Sequence, residues 1–240
     1  MIKEAINRIL ELDKPNITEC ASGTYVDKKM YRIDQQVRAE PLKVSTLSSL
    51  LTYIAEMGHE FRLTDCMLHI VSHKRVELIS SLDGDRRRET FMIAEAETPR
   101  IPFGEYIDHE AMLITVQSMF IDNPETDRAA VLKFAGTVTS GTIKDYNDDG
   151  VTQKATIRQG VASKVEAIVP SPCRLQPFRT FIEVDQPVSE FIFRMREGRN
   201  EPEAALFEAD GGAWKVNAKQ NIFDYLSKSV NVNDNITIIS

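Results

Sequence analysis

Between residues 66 and 97 apolar and polar side chains alternate, and the runs at residues 66–71, 75–82 and 89–97 are parted by Ser72-His73-Lys74 and Asp83-Gly84-Asp85. Period two sends successive side chains to opposite faces of an extended chain, and clusters of this composition between such runs are turns. The stretch is therefore expected to form three sequential antiparallel strands. A meander with one apolar face has to be covered, so other segments must supply the cover.

Four segments carry a helical stripe. Ile2, Ala5, Ile6, Ile9 and Leu10 recur at the spacing of one helix face, and Pro15-Asn16 stops them. Leu47, Leu50, Leu51, Ile54 and Ala55 form a second stripe, with Ser45 expected as its N-cap and Gly58 at the left-handed C-terminal position. Asp108 is placed to cap a third, containing Ala111, Met112, Leu113, Val116, Met119 and Phe120 and ended by Asn123-Pro124. Trp214, Ala218, Ile222, Tyr225 and Leu226 mark the last, over residues 213–227, after Gly211-Gly212.

Short strands are expected at residues 24–33 and 37–40, the latter broken by Pro41, and again at 130–139, 151–157, 161–168, 178–184, 190–196, 204–209 and 236–239. Asn147-Asp148-Asp149-Gly150 is a hairpin turn, and Pro170, Pro172 and Pro177 punctuate the crossing that follows. The expected class is α+β, mainly antiparallel sheet with about four helices. No internal repeat or long linker occurs, so residues 1–122 and 123–240 are either two halves or one compact unit.

A chain of 240 residues with 42% apolar content can bury a core without disulfides or metal. Cys20, Cys66 and Cys173 are odd in number and far apart, which suits reduced thiols in a cytosol. Charges recur within the first ten residues, so no secretory signal is expected, and no stretch approaches the roughly 18 apolar residues of a membrane span. The net charge of −7 opposes a protein whose whole surface binds nucleic acid. A local basic patch remains open at Lys28, Lys29 and Arg32, or at Arg86, Arg87 and Arg88, with Tyr25 and Tyr31 able to stack on bases.

Motifs for chemistry are weak. Asp145-x-Asn147-x-Asp149-Gly150 opens like a calcium loop, but the closing twelfth position is Thr156 rather than a bidentate Glu. On one strand Cys66 faces away from His69 and His73, and the two histidines stand about 13 Å apart at about 3.3 Å per residue, too far for one ion. His109-Glu110 begins like a zinc-protease helix, yet the second histidine position is Leu113. Asp210-Gly211-Gly212 is read as a strand-to-helix turn rather than an anion site, and Cys173, beside Arg174 with no histidine near, as a structural thiol. Glu183, Asp185, Glu190, Glu208 and Asp210 are read as an acidic face, with Glu183 and Asp185 sharing one side of a strand. No cofactor and no catalytic residue is expected.

The C-terminal portion, residues 136–214, carries a resemblance. Its strings are Asp148-Asp149-Gly150-Val151-Thr152-Gln153-Lys154-Ala155, Pro177-Phe178-Arg179-Thr180-Phe181-x-Glu183-Val184, and Ala205-Leu206-Phe207-Glu208-Ala209-Asp210-Gly211-Gly212-Ala213-Trp214. It resembles proteins of tailed phages and prophages of anaerobic bacteria. The order of elements, with its Leu-x-x-Tyr-Ile helix at Leu50 to Ile54 and Pro-Phe-Gly link at Pro102 to Gly104, is similar to the YfdQ-type prophage proteins. The resemblance implies a phage accessory protein acting in the host cytoplasm by stoichiometric binding, to itself or to a host or phage protein. A non-enzymatic homo-oligomer larger than a dimer is expected, joined through Ile2, Ile6, Ile9 and Leu10 or an edge strand. The alternatives are a single-stranded nucleic-acid accessory using the basic residues above, and a divalent-metal-dependent enzyme using the acidic cluster.

Overall fold

The computed structural model describes residues 2–12, 14–20, 23–29, 38–57, 66–84, 86–139, 142–148, 153–159, 163–168, 171–199, 201–230 and 236–240. The chain divides after Ala39 into an N-terminal unit and a larger body. In the first unit, helix α1 (Ile2–Leu12) is followed by a hairpin of β1 (Ile17–Cys20) and β2 (Gly23–Val26), paired Ile17 to Val26 and Thr18 to Tyr25. Asn16 and Asp27 clamp its open end. Asn16 donates its backbone N–H and its side-chain amide to the Asp27 carboxylate at 2.8 Å each, which holds that carboxyl below its ordinary range. The expected strand at 24–33 is thus shorter, ending at Val26, and residues 30–33 lie outside the described residues.

The body opens with the meander. Strands β4 (Cys66–Ser72), β5 (Arg75–Ser80) and β6 (Thr90–Glu95) pair antiparallel in sequence, Leu68 beside Leu78 and Leu78 beside Met92. Two short parallel strands flank them, β3 (Leu42–Val44) on β6 and β14 (Thr237–Ile239) on β4. The strand expected at 37–40 is displaced: residues 38–40 are irregular and pairing starts past Pro41, which has no N–H to offer a ladder. Leu68, Ile70, Val76, Leu78 and Ala94 are fully buried under α2 (Leu47–Glu56) and α5 (Ala213–Ser229), which contribute Leu47, Leu50, Ile54, Ile222 and Leu226. The cap of α2 is Thr46 rather than Ser45, its hydroxyl accepting the Ser49 N–H at 3.2 Å. Gly58 lies outside the described residues.

A second sheet has the order β11 (Cys173–Leu175), β12 (Ser189–Glu197), β13 (Pro202–Glu208), β7 (Ile107–Asp108). Two helices cover it: α3 (His109–Met119), capped by Asp108 as expected, and α4 (Arg128–Thr139). Residues 130–139 are therefore not a strand. Val131, Phe134 and Ala135 are buried at i, i+3 and i+4, a helix face, and Val131 donates to the Asp127 carbonyl to start the first turn. This makes five helices among the described residues, where about four were expected. Met112, Val116, Phe120, Val131 and Phe134 meet Phe191, Phe193, Met195 and Leu206 in a second core. Between α4 and β11 runs a three-stranded antiparallel sheet of β8 (Thr142–Asp148), β9 (Gln153–Gln159) and β10 (Ser163–Ile168); Asn147 and Asp148, expected in a turn, are paired in β8, and Asp149 and Gly150 lie outside the described residues.

Residues 178–184 also depart from expectation. They form a loop wrapped round one buried amide. Gln186 Oε1 accepts the N–H groups of Arg179 at 2.8 Å and Thr180 at 3.1 Å, while its Nε2 donates to the carbonyls of Phe181 at 2.9 Å and Val184 at 3.3 Å. The side chain supplies the partners a neighbouring strand would have given, so the backbone has no need of a ladder. Phe181 and Val184 are thereby delivered to the meander core. Gln186→Leu leaves these buried groups unpaired, and a loss of about 2–4 kcal/mol is expected in urea unfolding. A loss within measurement error would show that the amide does not organise the loop.

Candidate functional site

The β4–β5 turn places His73 and Lys74 at one corner of the meander. Lys74 Nζ donates to Thr98 Oγ1 at 2.6 Å, and the Lys74 carbonyl accepts the Ala96 N–H, so the chain leaving β6 is tied beside this turn. Thr180 bonds the His73 carbonyl from the Gln186 loop. The same loop carries Arg179 into the space between the two cores.

Arg179 is 5% exposed, and its guanidinium lies 3.8 Å from the centre of the Trp214 ring. Its Nη1 bonds Glu208 at 2.7 Å and its Nη2 the Ser189 hydroxyl. Burial draws its pKa down to about 10, opposed by Glu208 and Asp210, so it stays charged at neutral pH. Trp214 is positioned by the turn that starts α5. Asp210 accepts the Gly212 and Trp214 N–H groups at 3.0 and 3.2 Å, and Gly211 and Gly212 have φ of +62° and +85°, where a side chain would strain. The helix end is thus already capped by the chain's own carboxylate. His73 meets the indole edge-on, ring centres 4.6 Å apart.

These groups line a cavity of about 350 Å³ together with Thr98, Pro99, Arg100, Ile101, Phe103, Phe178 and Lys215. Among the described lining residues, Lys74, Arg100, Arg179 and Lys215 stand against one carboxylate, Glu208. In a chain of net charge −7 this is a local reversal of sign. Burial, then the charges of Lys74, Lys215 and Arg179, push the His73 pKa down to about 4, leaving the imidazole neutral.

The residues singled out by sequence are distributed elsewhere. Arg87 and Arg88 staple the β5–β6 turn: Arg87 pairs with Asp83 at 3.6 Å and Arg88 donates to the Ser80 carbonyl at 2.9 Å. Arg86 adopts φ of +59° in that turn, at the opposite end of β5 from His73 and so about 20 Å away along the strand. Lys28 and Lys29 follow β2 in the N-terminal unit, while Arg32 and Tyr31 lie outside the described residues. Glu183 and Asp185 share no strand face, because their segment is the Gln186 loop. Glu183 instead accepts the Ser48 N–H at the first turn of α2. Cys66 is buried in the meander core. Cys173 donates to the Phe191 carbonyl, its thiol pushed up to about 12 by burial, and His109 Nε2 sits 2.6 Å from the Ala135 carbonyl, tying α3 to α4. Arg179, Lys215 and Arg100 were not singled out by sequence. The one signal was Trp214, the only tryptophan, directly after Asp210-Gly211-Gly212. Comparison with protein-family models, curated proteins and solved structures finds no match for this chain.

The depressed pKa of His73 has a linkage consequence. Unfolded, the imidazole takes a proton near 6.5; folded, only near 4, so the unfolded state binds the extra proton between these values. The stabilisation is complete above pH 6.5 and is lost as pH falls towards 4. His73→Asn removes this term: urea unfolding should show wild type losing stability relative to the variant between pH 6.5 and 4, with their difference constant above pH 7. Parallel curves across the acid range would refute the assignment.

Proposed function

We propose that this is a phage-derived, non-enzymatic binding protein that works in the host cytoplasm as a closed homo-oligomer larger than a dimer. The observation that carries the reading is the surface of the N-terminal unit. Ile2 and Ile6, one turn apart on α1, are 80% and 51% exposed, and Ile17 and Val26, cross-strand partners in the hairpin, are 64% and 44% exposed. Two separate apolar patches in so short a unit invite burial, at about 1.5–3 kcal/mol for each large side chain taken fully out of water.

The patches differ in shape, one a helix face and one a sheet face. A contact between unlike patches is heterologous, and when the rotation closes it generates a ring rather than a two-fold dimer. The edges of the two core sheets are the weaker candidate for the contact, whereas the third sheet ends on longer strands, β8 of seven residues and β10 of six. The meander sheet ends on β3 and β14, of three residues each, and the second sheet on β11 and β7, of three and two. Such short edge strands offer little template for a further chain. The resemblance to phage and prophage proteins supports the setting.

Light scattering at micromolar concentration should give a mass several times the 27.1 kDa of the chain. A mass near one chain refutes the assembly. The double variant Ile2→Ser, Ile6→Ser should shrink the particle without altering the circular dichroism of the body, whose two cores draw their described residues from Val44 onward. A large particle indifferent to the double variant would retain the oligomer and discard α1 as its contact.

A further inference from the structure

We propose that the cationic cavity built round Arg179 and Trp214 is a binding site for a phosphate monoester with a flat or apolar body. Arg179 is committed to Glu208, which leaves Lys74, Arg100 and Lys215 as positive charge with no other lining carboxylate among the described residues. They come from three distant segments: the β4–β5 turn, the loop after β6 and the first turn of α5. Like charges brought together by a fold repel, and an occupying anion relieves that repulsion in proportion to its own charge. A phosphate monoester carries about −1.5 to −2 near pH 7 and three acceptor oxygens, against one charge for a carboxylate.

A second observation is independent of charge. Among the described residues, Arg179 Nε and Trp214 Nε1 are buried N–H groups with no acceptor, on two lining residues that are each 5% exposed. Buried donors are nearly always paired, so this wall is short of acceptors, as suits an anion. Neither nitrogen is open to the cavity, and the oxyanion is held by Lys74, Arg100 and Lys215.

The remaining lining defines the body of the ligand. Pro99, Ile101, Phe103 and Phe178 make one side apolar, and about 350 Å³ accommodates a phosphate and a single ring system. The site does not depend on the assembly proposed above, since all its residues lie in the body.

Trp214 is the only tryptophan, so intrinsic fluorescence excited at its red edge reads the site directly. The probes are phenyl phosphate, inorganic phosphate and phenol, with calorimetry on the same protein. Phenyl phosphate should change the emission saturably and lose affinity as salt rises; inorganic phosphate should bind about 10-fold more weakly, and phenol not at all. Arg100→Gln and Lys215→Gln, both at exposed positions, should each weaken phenyl phosphate about 5- to 10-fold with unfolding curves unchanged. Phenyl phosphate binding no better than phenol, or equal affinity in wild type and both variants, overturns the site. Equal affinity for inorganic and phenyl phosphate overturns the assignment of an apolar body.

Discussion

A guanidinium removed from water has to be given partners, and the body of this protein is arranged round that requirement at Arg179. Glu208 and Ser189 come from the second sheet, Trp214 from the helix that covers the first, and the backbone that delivers the charge is shaped by Gln186. Phe181 and Val184, two and five residues further on, belong to the meander core, while Phe191, beneath the same guanidinium at 5.5 Å, belongs to the other. One side chain thus links two apolar clusters through its guanidinium. Removing it would leave Glu208 without its cation and the indole without its cover, so the site and the joint between cores are one structure.

The parts of the fold visible in the sequence are those whose information is local. The meander, the four helical stripes and Asp108 as a cap each rest on residues within a few positions of one another. Residues 130–139 misled because Val131, Thr137, Val138 and Thr139 are β-branched and favour strands, while the helix face of Val131, Phe134 and Ala135 is decided by α3 and the second sheet. Residues 178–184 misled for the opposite reason. Their composition suits a strand, but the partner for their backbone is the side chain of Gln186, and sequence periodicity carries no record of such a bond. The cavity was legible least of all. His73, Lys74, Arg100, Arg179 and Lys215 form no motif in the chain, and only the return of α5 over the meander brings them together.

The chain separates its tasks. The body gathers its large apolar side chains into two cores, and its two core sheets end in strands of two or three residues, which offer neighbours little to pair with. The N-terminal unit does the reverse, showing isoleucines on both its helix and its hairpin. A unit that cannot build a core of that size alone can still be stable when another surface completes it.

The parallel pairing of Thr237 to Met67 and Ile239 to His69 closes the meander sheet with a strand far downstream in sequence. The three antiparallel strands can find one another locally. The outer edge of β4 and the face destined for α5 stay open until that distant segment folds back, so a chain that has formed only the meander carries an adhesive surface. Completion of the sheet is therefore a late event in folding, and the same return of the chain lowers Trp214 onto Arg179.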